Sequence, residues 1–165
     1  MLQHDHASTP FIEKKHPVVV VCDGLQSPAN IGAIFRLCDA FGVLELIFNN
    51  PIDLSSNRLR RTARNTYTTV KHTSSTNILE TISKFQQKGF AVITLEISEK
   101  SVPITTLSTL SNQKTVLIIG NERTGVSEEI LNNTNLIVHI PMYGKNSSMN
   151  VAQATAIALY ELTKH

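Results

Sequence analysis

The chain of 165 residues has no tryptophan, two cysteines and only 5% aromatic residues, and its charged fraction is 17%. That fraction is low for a soluble domain. Apolar residues still make up 41%, enough aliphatic side chain for the core of one ordinary domain, so the shortage of charge does not imply disorder. Long hydrophobic runs are missing too. The longest, Val18 to Cys22, is far short of the roughly 20 apolar residues that span a bilayer. Residues 1–16 are polar and mixed, without a basic stretch leading into an apolar one. They read as a polar tail before a single domain over 17–165, and the chain reads as cytoplasmic. Cys22 and Cys38 have no CxxC spacing and sit among apolar residues, which favours a buried, reduced pair over a disulfide or metal site. No cysteine or carboxylate cluster joins His4, His6 and His16 into a metal site. There is no GxGxxG after the first apolar run and no GxxxxGKS/T, so dinucleotide and P-loop sites are poorly supported.

What is present alternates. Pro17–Cys22 is a β-branched run of the kind found in a strand covered on both faces, and Asp23–Ala29 reads as loop. Ile31, Ile34, Phe35, Cys38 and Phe41 then fall on one helical face, with Asn30 as N-cap and Gly42 as the stop. Leu44–Phe48 predicts a second strand. Residues 54–65 show no period, and Thr66–Val70 predicts a strand. A helix is expected over Asn77–Lys88 and a strand over Phe90–Ile97. Ser98–Gln113 is a polar connection with room for one short turn. Val116–Ile119 predicts a strand, followed by a turn and a short helix to Leu131. Leu136–Ile140 predicts the last strand, and Ser148–Leu162 a closing helix. Strands alternating with helices mean an α/β fold with a mostly parallel sheet flanked by helices, and ligands bind such sheets beyond the carboxyl ends of the strands.

Three segments at those ends carry chemistry. Asn30-Ile31-Gly32-Ala33-Ile34-Phe35-Arg36 opens the first helix; there Gly32 is expected to leave room for a ligand beside the planar guanidinium of Arg36. Gly120-Asn121-Glu122-Arg123-Thr124-Gly125 places a carboxylate at a strand end, although a plain turn would use the same residues. Ile140-Pro141-Met142-Tyr143-Gly144 followed by Ser147-Ser148-Met149-Asn150 gathers hydrogen-bonding groups at a helix N-terminus. Capping by Ser148 accounts for part of this segment, but not for the Ile-Pro-Met-x-Gly before it.

In this order and spacing the three segments resemble the motifs of the SpoU (TrmH) family of RNA ribose methyltransferases, in the SPOUT superfamily, over about residues 18–162. The resemblance implies transfer of the methyl group of S-adenosylmethionine to a ribose 2′-hydroxyl in tRNA or rRNA. It implies a catalytic set of Arg36, Asn30, Glu122, Ser148 and Asn150, with Arg36 central. The methyl donor would lie against Thr94, Leu95, Gly120, Ile140, Ser148 and Met149. A C-terminal trefoil knot also comes with the resemblance. The third motif departs from the common Ser-Leu-Asn-Val-Ser, reading Ser-Met-Asn-Val-Ala. With no separate RNA-binding domain expected before Pro17, the chain is similar to the minimal members, some of which act on the wobble position of tRNA; the Arg58–Arg61 segment is similar to theirs. In the last helix Val151, Ala154, Thr155, Ala158, Leu159 and Leu162 form one stripe, and Ile157 and Tyr160 a second apolar surface. Two apolar sides suit a homodimer built on this helix, or burial within one subunit.

Charge is segregated. The net charge is +2, yet between Asp53 and Glu80 there is no acidic residue, while Arg58, Arg60, Arg61, Arg64 and Lys71 lie there. Setting those five aside leaves 10 basic against 13 acidic residues. The stretch 58–71 is therefore the expected RNA contact. The alternative from another class is an RNA-binding protein on the same scaffold without transfer activity.

Overall fold

The computed structural model describes residues 12–164. Residues 1–11 of the expected tail, with His4 and His6, lie outside them. Within them one sheet has strands β1 (His16–Cys22), β2 (Val43–Phe48), β3 (His72–Ser74), β4 (Ala91–Leu95), β5 (Val102–Pro103), β6 (Thr115–Ile119) and β7 (Leu136–His139). The spatial order is β3-β2-β1-β6-β4-β7-β5, and every pairing is parallel. Helices α1 (Pro28–Ala40), α2 (Asn57–Ala63), α3 (Ile78–Gln87), α4 (Glu128–Leu131) and α5 (Val151–Thr163) cover it. Among the described residues no helix is long and apolar enough to cross a membrane.

The valine run explains the centre. Val18, Val20 and Cys22 point into a core shared with α1, α2 and α5. Val19 and Val21 point to the opposite face, against Ile82 of α3 and Ile130 of α4. A strand buried on both faces has no polar side to show. Cys22 and Cys38 are buried and unlinked; burial pushes both thiols up, which keeps them in the inert protonated form.

Several boundaries differ from expectation for identifiable reasons. Helix α1 starts at Pro28, not after Asn30: Ser27 Oγ accepts the Asn30 N–H, and Pro28 occupies a first-turn position where its missing N–H costs nothing. Helix α5 starts at Val151, capped by Asn150, whose Oδ1 accepts from Ala152 N (2.9 Å) and Gln153 N (3.3 Å); Ser148 therefore does not cap it. The predicted strand Thr66–Val70 is absent. Thr66–Thr68 is a 3-10 turn, in which Thr66 Oγ1 donates to Ala63 O (2.6 Å) and Thr68 Oγ1 to Asn65 O (2.7 Å). These local bonds displace the ladder that β-branched side chains would otherwise favour; pairing with β2 begins only at His72. Helix α2 arises where no period was visible, because it buries only Leu59 and Ala63. The polar connection 98–113 holds β5 and a 3-10 stretch Ile104–Leu110, anchored by Ile104 and Leu107.

Gly32 does not open room for a ligand. A Cβ there would lie 2.0 Å from Thr62 Oγ1, 2.4 Å from Leu59 O and 3.0 Å from Ala63 N. Its smallness lets α1 and α2 touch backbone to backbone.

Candidate active site

The segments that follow β1, β4, β6 and β7 meet at the carboxyl edge of the sheet, and those after β4, β6 and β7 surround a cavity of about 370 Å³. Leu95, Ile119, Ile140 and Met149 supply apolar wall; Glu96, Asn121 and Glu122 supply polar groups. The mixture and size are those of a small-molecule site.

At its mouth one hydrogen-bond chain ties the three sequence segments together. Glu122 Oε1 accepts from Asn30 Nδ2 (3.0 Å) and from Ser27 N (3.0 Å), while Oε2 accepts from Gln26 N (3.4 Å). Asn30 Oδ1 in turn accepts from Asn150 Nδ2 (3.0 Å). Partial burial pushes the Glu122 carboxyl up, but hydrogen bonds from Asn30 and from the N–H groups of Glu122, Ser27 and Gln26 outweigh it and leave it below its ordinary value. The group is thus an anion at neutral pH, held by donors on α1 and the preceding loop.

That loop is itself clamped. Asn49 Oδ1 accepts from Gly24 N (2.6 Å), and Asn121 Nδ2 donates to Gly24 O (2.6 Å). Buried Asp23 accepts from Asn49 Nδ2 and from Ser127 N (2.7 Å). Asn121 Oδ1 also accepts from Arg123 N (2.8 Å) and Thr124 N (3.1 Å), shaping the turn after β6. Gly120 is demanded by this turn: a Cβ would lie 2.4 Å from the Gly125 carbonyl carbon. Glu96 closes the turn from the other side, accepting from Val126 N (3.0 Å) and Ile97 N (2.8 Å). Sequence reading missed Asp23, Asn49 and Glu96, and gave Asn121 no role of its own within the second segment. Their only signal is position at strand ends, and their partners are far apart in the chain.

Of the expected catalytic set, Asn30, Glu122 and Asn150 are brought together. Ser148 lines the cavity. Arg36 stands apart: it is exposed on α1 and outside the cavity lining, and it makes no hydrogen bond or ion pair among the described residues. Of the expected cofactor set, Leu95, Gly120, Ile140, Ser148 and Met149 line the cavity. Thr94 does not; it is fully buried in β4, its hydroxyl on Thr134 Oγ1 at 3.1 Å. Among the described residues no group of three or more His, Cys, Asp or Glu could hold a metal ion.

The basic stretch is divided. Arg58, Arg61 and Arg64 are exposed on or just after α2. Arg60 donates Nε to Leu54 O (2.8 Å) and lies over the Tyr67 ring. Lys71 pairs with Glu45 at 2.9 Å, which offsets its charge. On α5 the stripe containing Thr155, Ala158, Leu159 and Leu162 is buried within the chain, while Ile157 and Tyr160 remain 37% and 57% exposed. Burial within one subunit therefore does not account for the second apolar surface.

Comparison with known proteins gives the family and the fold. Residues 17–160 match the model of the SpoU rRNA Methylase family. The tRNA (guanosine(18)-2′-O)-methyltransferase of Aquifex aeolicus is 31% identical over 149 residues, 90% of this chain and 70% of that protein. The crystal structure of the A. aeolicus TrmH/SpoU tRNA modifying enzyme superposes with a TM-score of 0.82 at 30% identity, covering 92% of this chain and 76% of that one. An AdoMet-bound rRNA methyltransferase from Sinorhizobium meliloti gives 0.80 at 26% identity, over 92% and 57% of the two chains. A structure concerning the 2-OH methylation of C/U34 on tRNA gives 0.78 over 89% and 94%; at 24% identity it speaks to the fold alone. The chain spans between 57% and 70% of the length of curated relatives it matches.

Proposed function

The chain belongs to the SpoU rRNA methylase family, and we propose that it transfers the methyl group of S-adenosylmethionine to a ribose 2′-hydroxyl of RNA. One observation carries this reading: Glu122, Asn30 and Asn150, from three distant segments, join in a single hydrogen-bond chain at the mouth of a ligand-sized cavity. The cavity fits the methyl donor, having apolar wall for a purine and for the carbon chains flanking the sulfonium, and polar groups for a ribose and an amino acid. Leu95, Gly120, Ile140, Ser148 and Met149 would hold it, and Thr94 acts only by fixing β4.

The bound donor supplies an already activated methyl group. The protein's share is therefore alignment of the acceptor hydroxyl and help with its proton. Asn30, locked between Glu122 and Asn150, presents a fixed amide to the ribose. Glu122 stays ionised and holds Asn30 and the 25–27 loop in register. Arg36 carries N–H donors and no acceptor, which makes it a poor base; it meets the phosphate of the docked nucleotide and orients the ribose, while Ser148 contacts it from the third segment. Arg58, Arg61 and Arg64 bind backbone phosphates, with Arg60 and Lys71 contributing less because each already has a partner.

The finer reading is tRNA as substrate, with the wobble ribose as target, supported by the likeness of the Arg58–Arg61 segment to members acting there. We also read a homodimer on α5, supported by exposed Ile157 and Tyr160, a trefoil knot at the C-terminal segment, and a cytoplasmic location. Labelled-methyl transfer onto total tRNA and rRNA from cells lacking the protein, followed by mapping of the modified ribose, tests the activity and its target. Sedimentation of wild type beside Tyr160→Glu tests the dimer. The isolation of Arg36 from the cavity favours one rival, an RNA-binding scaffold without transfer. Calorimetry with S-adenosylmethionine separates the two, since the rival predicts no binding.

A further inference from the structure

A second cavity, of about 290 Å³, lies against α2. We propose that it takes the nucleobase of the nucleotide whose ribose is methylated; the proposal rests on the RNA methyl-transfer reading above. The segment 25–31 contributes to both cavities. Asn30 lines the first, whereas Gln26, Pro28 and Ile31 line the second. The same Gln26 gives its N–H to Glu122. A nucleotide with its ribose at Asn30 therefore has the second cavity as the adjacent place for its base.

The walls suit a flat heterocycle. Leu25, Ile31 and Leu59 are buried apolar side chains, and Ile52 is half-buried beside them. Gln26, Asn50, Asp53 and Ser56 supply polar groups, and of these Asn50 carries a buried atom left unsatisfied. Among the described residues the Asn50 Oδ1 is buried and has no hydrogen-bond partner, and its Nδ2 reaches Leu25 O at 3.4 Å and Pro51 O at 3.3 Å. A buried acceptor left without a donor is unfavourable; turning the carboxamide into the cavity would let an N–H on the edge of a base supply that donor while the ring faces cover the apolar wall. A carboxamide is also the side chain that pairs with a base edge through both its groups. The charge around it is mixed: the Asp53 carboxylate lines the cavity beside Ile52, while Leu59 forms the wall from inside α2 and its neighbour Arg58, and Arg61, stand exposed on the same helix for the flanking phosphates.

The test is a double-mutant cycle on a stem-loop oligonucleotide carrying the mapped target, and on the same oligonucleotide with the target nucleotide abasic. For the wild type, removal of the base raises KM, and the Kd read by fluorescence anisotropy, roughly tenfold, the scale of one well-made hydrogen bond with partial burial. Asn50→Ala raises both for the parent oligonucleotide and leaves little further loss on removing the base. Ile52→Ala gives the same coupling at smaller size, and serves alone should Asn50→Ala lack a cooperative melt. Wild type that binds and methylates the abasic oligonucleotide as well as the parent overturns the proposal, as do losses that simply multiply. Absence of methyl transfer to any RNA removes the function and this proposal together, whereas transfer indifferent to the base removes the proposal alone.

Discussion

The mouth of the first cavity and the outer face of α2 treat polar side chains in opposite ways. At the mouth the linked groups are spoken for: Glu122 accepts from Asn30, Ser27 and Gln26, Asn30 and Asn150 each bond in both directions, and Gly24 is held through its N–H and its carbonyl. On and just after α2, the side chains of Arg58, Arg61 and Arg64 project into water, with no side-chain hydrogen bond or ion pair among the described residues. The first region is ordered before anything binds, as alignment chemistry requires. The second leaves its charge free for phosphates, and its contribution is electrostatic and salt-sensitive. Substitutions in the first should change rate; substitutions in the second should change affinity and its dependence on salt.

The largest effect is expected at Glu122. Glu122→Gln loses the anion that gathers Asn30, Ser27 and Gln26, and methyl transfer should fall about 100-fold, the scale of a small misplacement of reacting groups. A single-turnover rate within a few-fold of wild type would place the chemistry elsewhere. The same residue sets a pH dependence. Its folded-state carboxyl lies below its ordinary value, so its stabilisation is fully present above the unfolded value of about 4.3 and is lost as pH falls through the lower folded value. Melting temperature followed downward in pH should drop more steeply below that point for wild type than for Glu122→Gln.

Next comes the junction between the regions. Gly32→Ala drives a methyl group into Thr62 and the Leu59 carbonyl, and overpacking of this kind costs about 1–3 kcal/mol. At about 2–4 °C per kcal/mol for a chain of this size, calorimetry should show a fall of several degrees. An unchanged melt would mean that α2 simply moves away. Asn150→Ala removes the α5 cap and should cost about 1 kcal/mol, together with the bond to Asn30. The smallest effects belong to α2. Arg58→Ala should weaken RNA binding and reduce the salt slope by about one, and Lys71→Ala by less, because Glu45 already pairs with it. Equal slopes for the two variants would show that the pairing opens on RNA.

The central strands are legible because β-branched runs covered on both sides leave no other period to read, as at Val18–Cys22 and Val116–Ile119; the short edge strands β3 (His72–Ser74) and β5 (Val102–Pro103) are not. Helix α3 was legible from Ile78, Leu79, Ile82 and Phe85. Helix α2 was not, since two buried residues make no period, and Thr66–Val70 misled because hydroxyl-to-carbonyl bonds within the turn outweigh strand preference. In the site, Asn30, Glu122 and Asn150 could be named in advance, but the bonds among them could not, since their partners lie 92 and 120 residues away.

By itself the sequence determined an α/β chain with parallel strands, a basic stretch free of acids and three polar segments placed at strand ends. These follow from local periodicity and composition, which survive without knowledge of the fold. Only the tertiary structure decided that Gly32 serves helix contact, not ligand room, that Arg36 stands in solvent, and that the shortage of charge noted at the outset is concentrated into two uses. One is a carboxylate surrounded by donors, the other a set of unpaired arginines. Which groups meet depends on the order in which strands pair, and that order is written in no single stretch of chain.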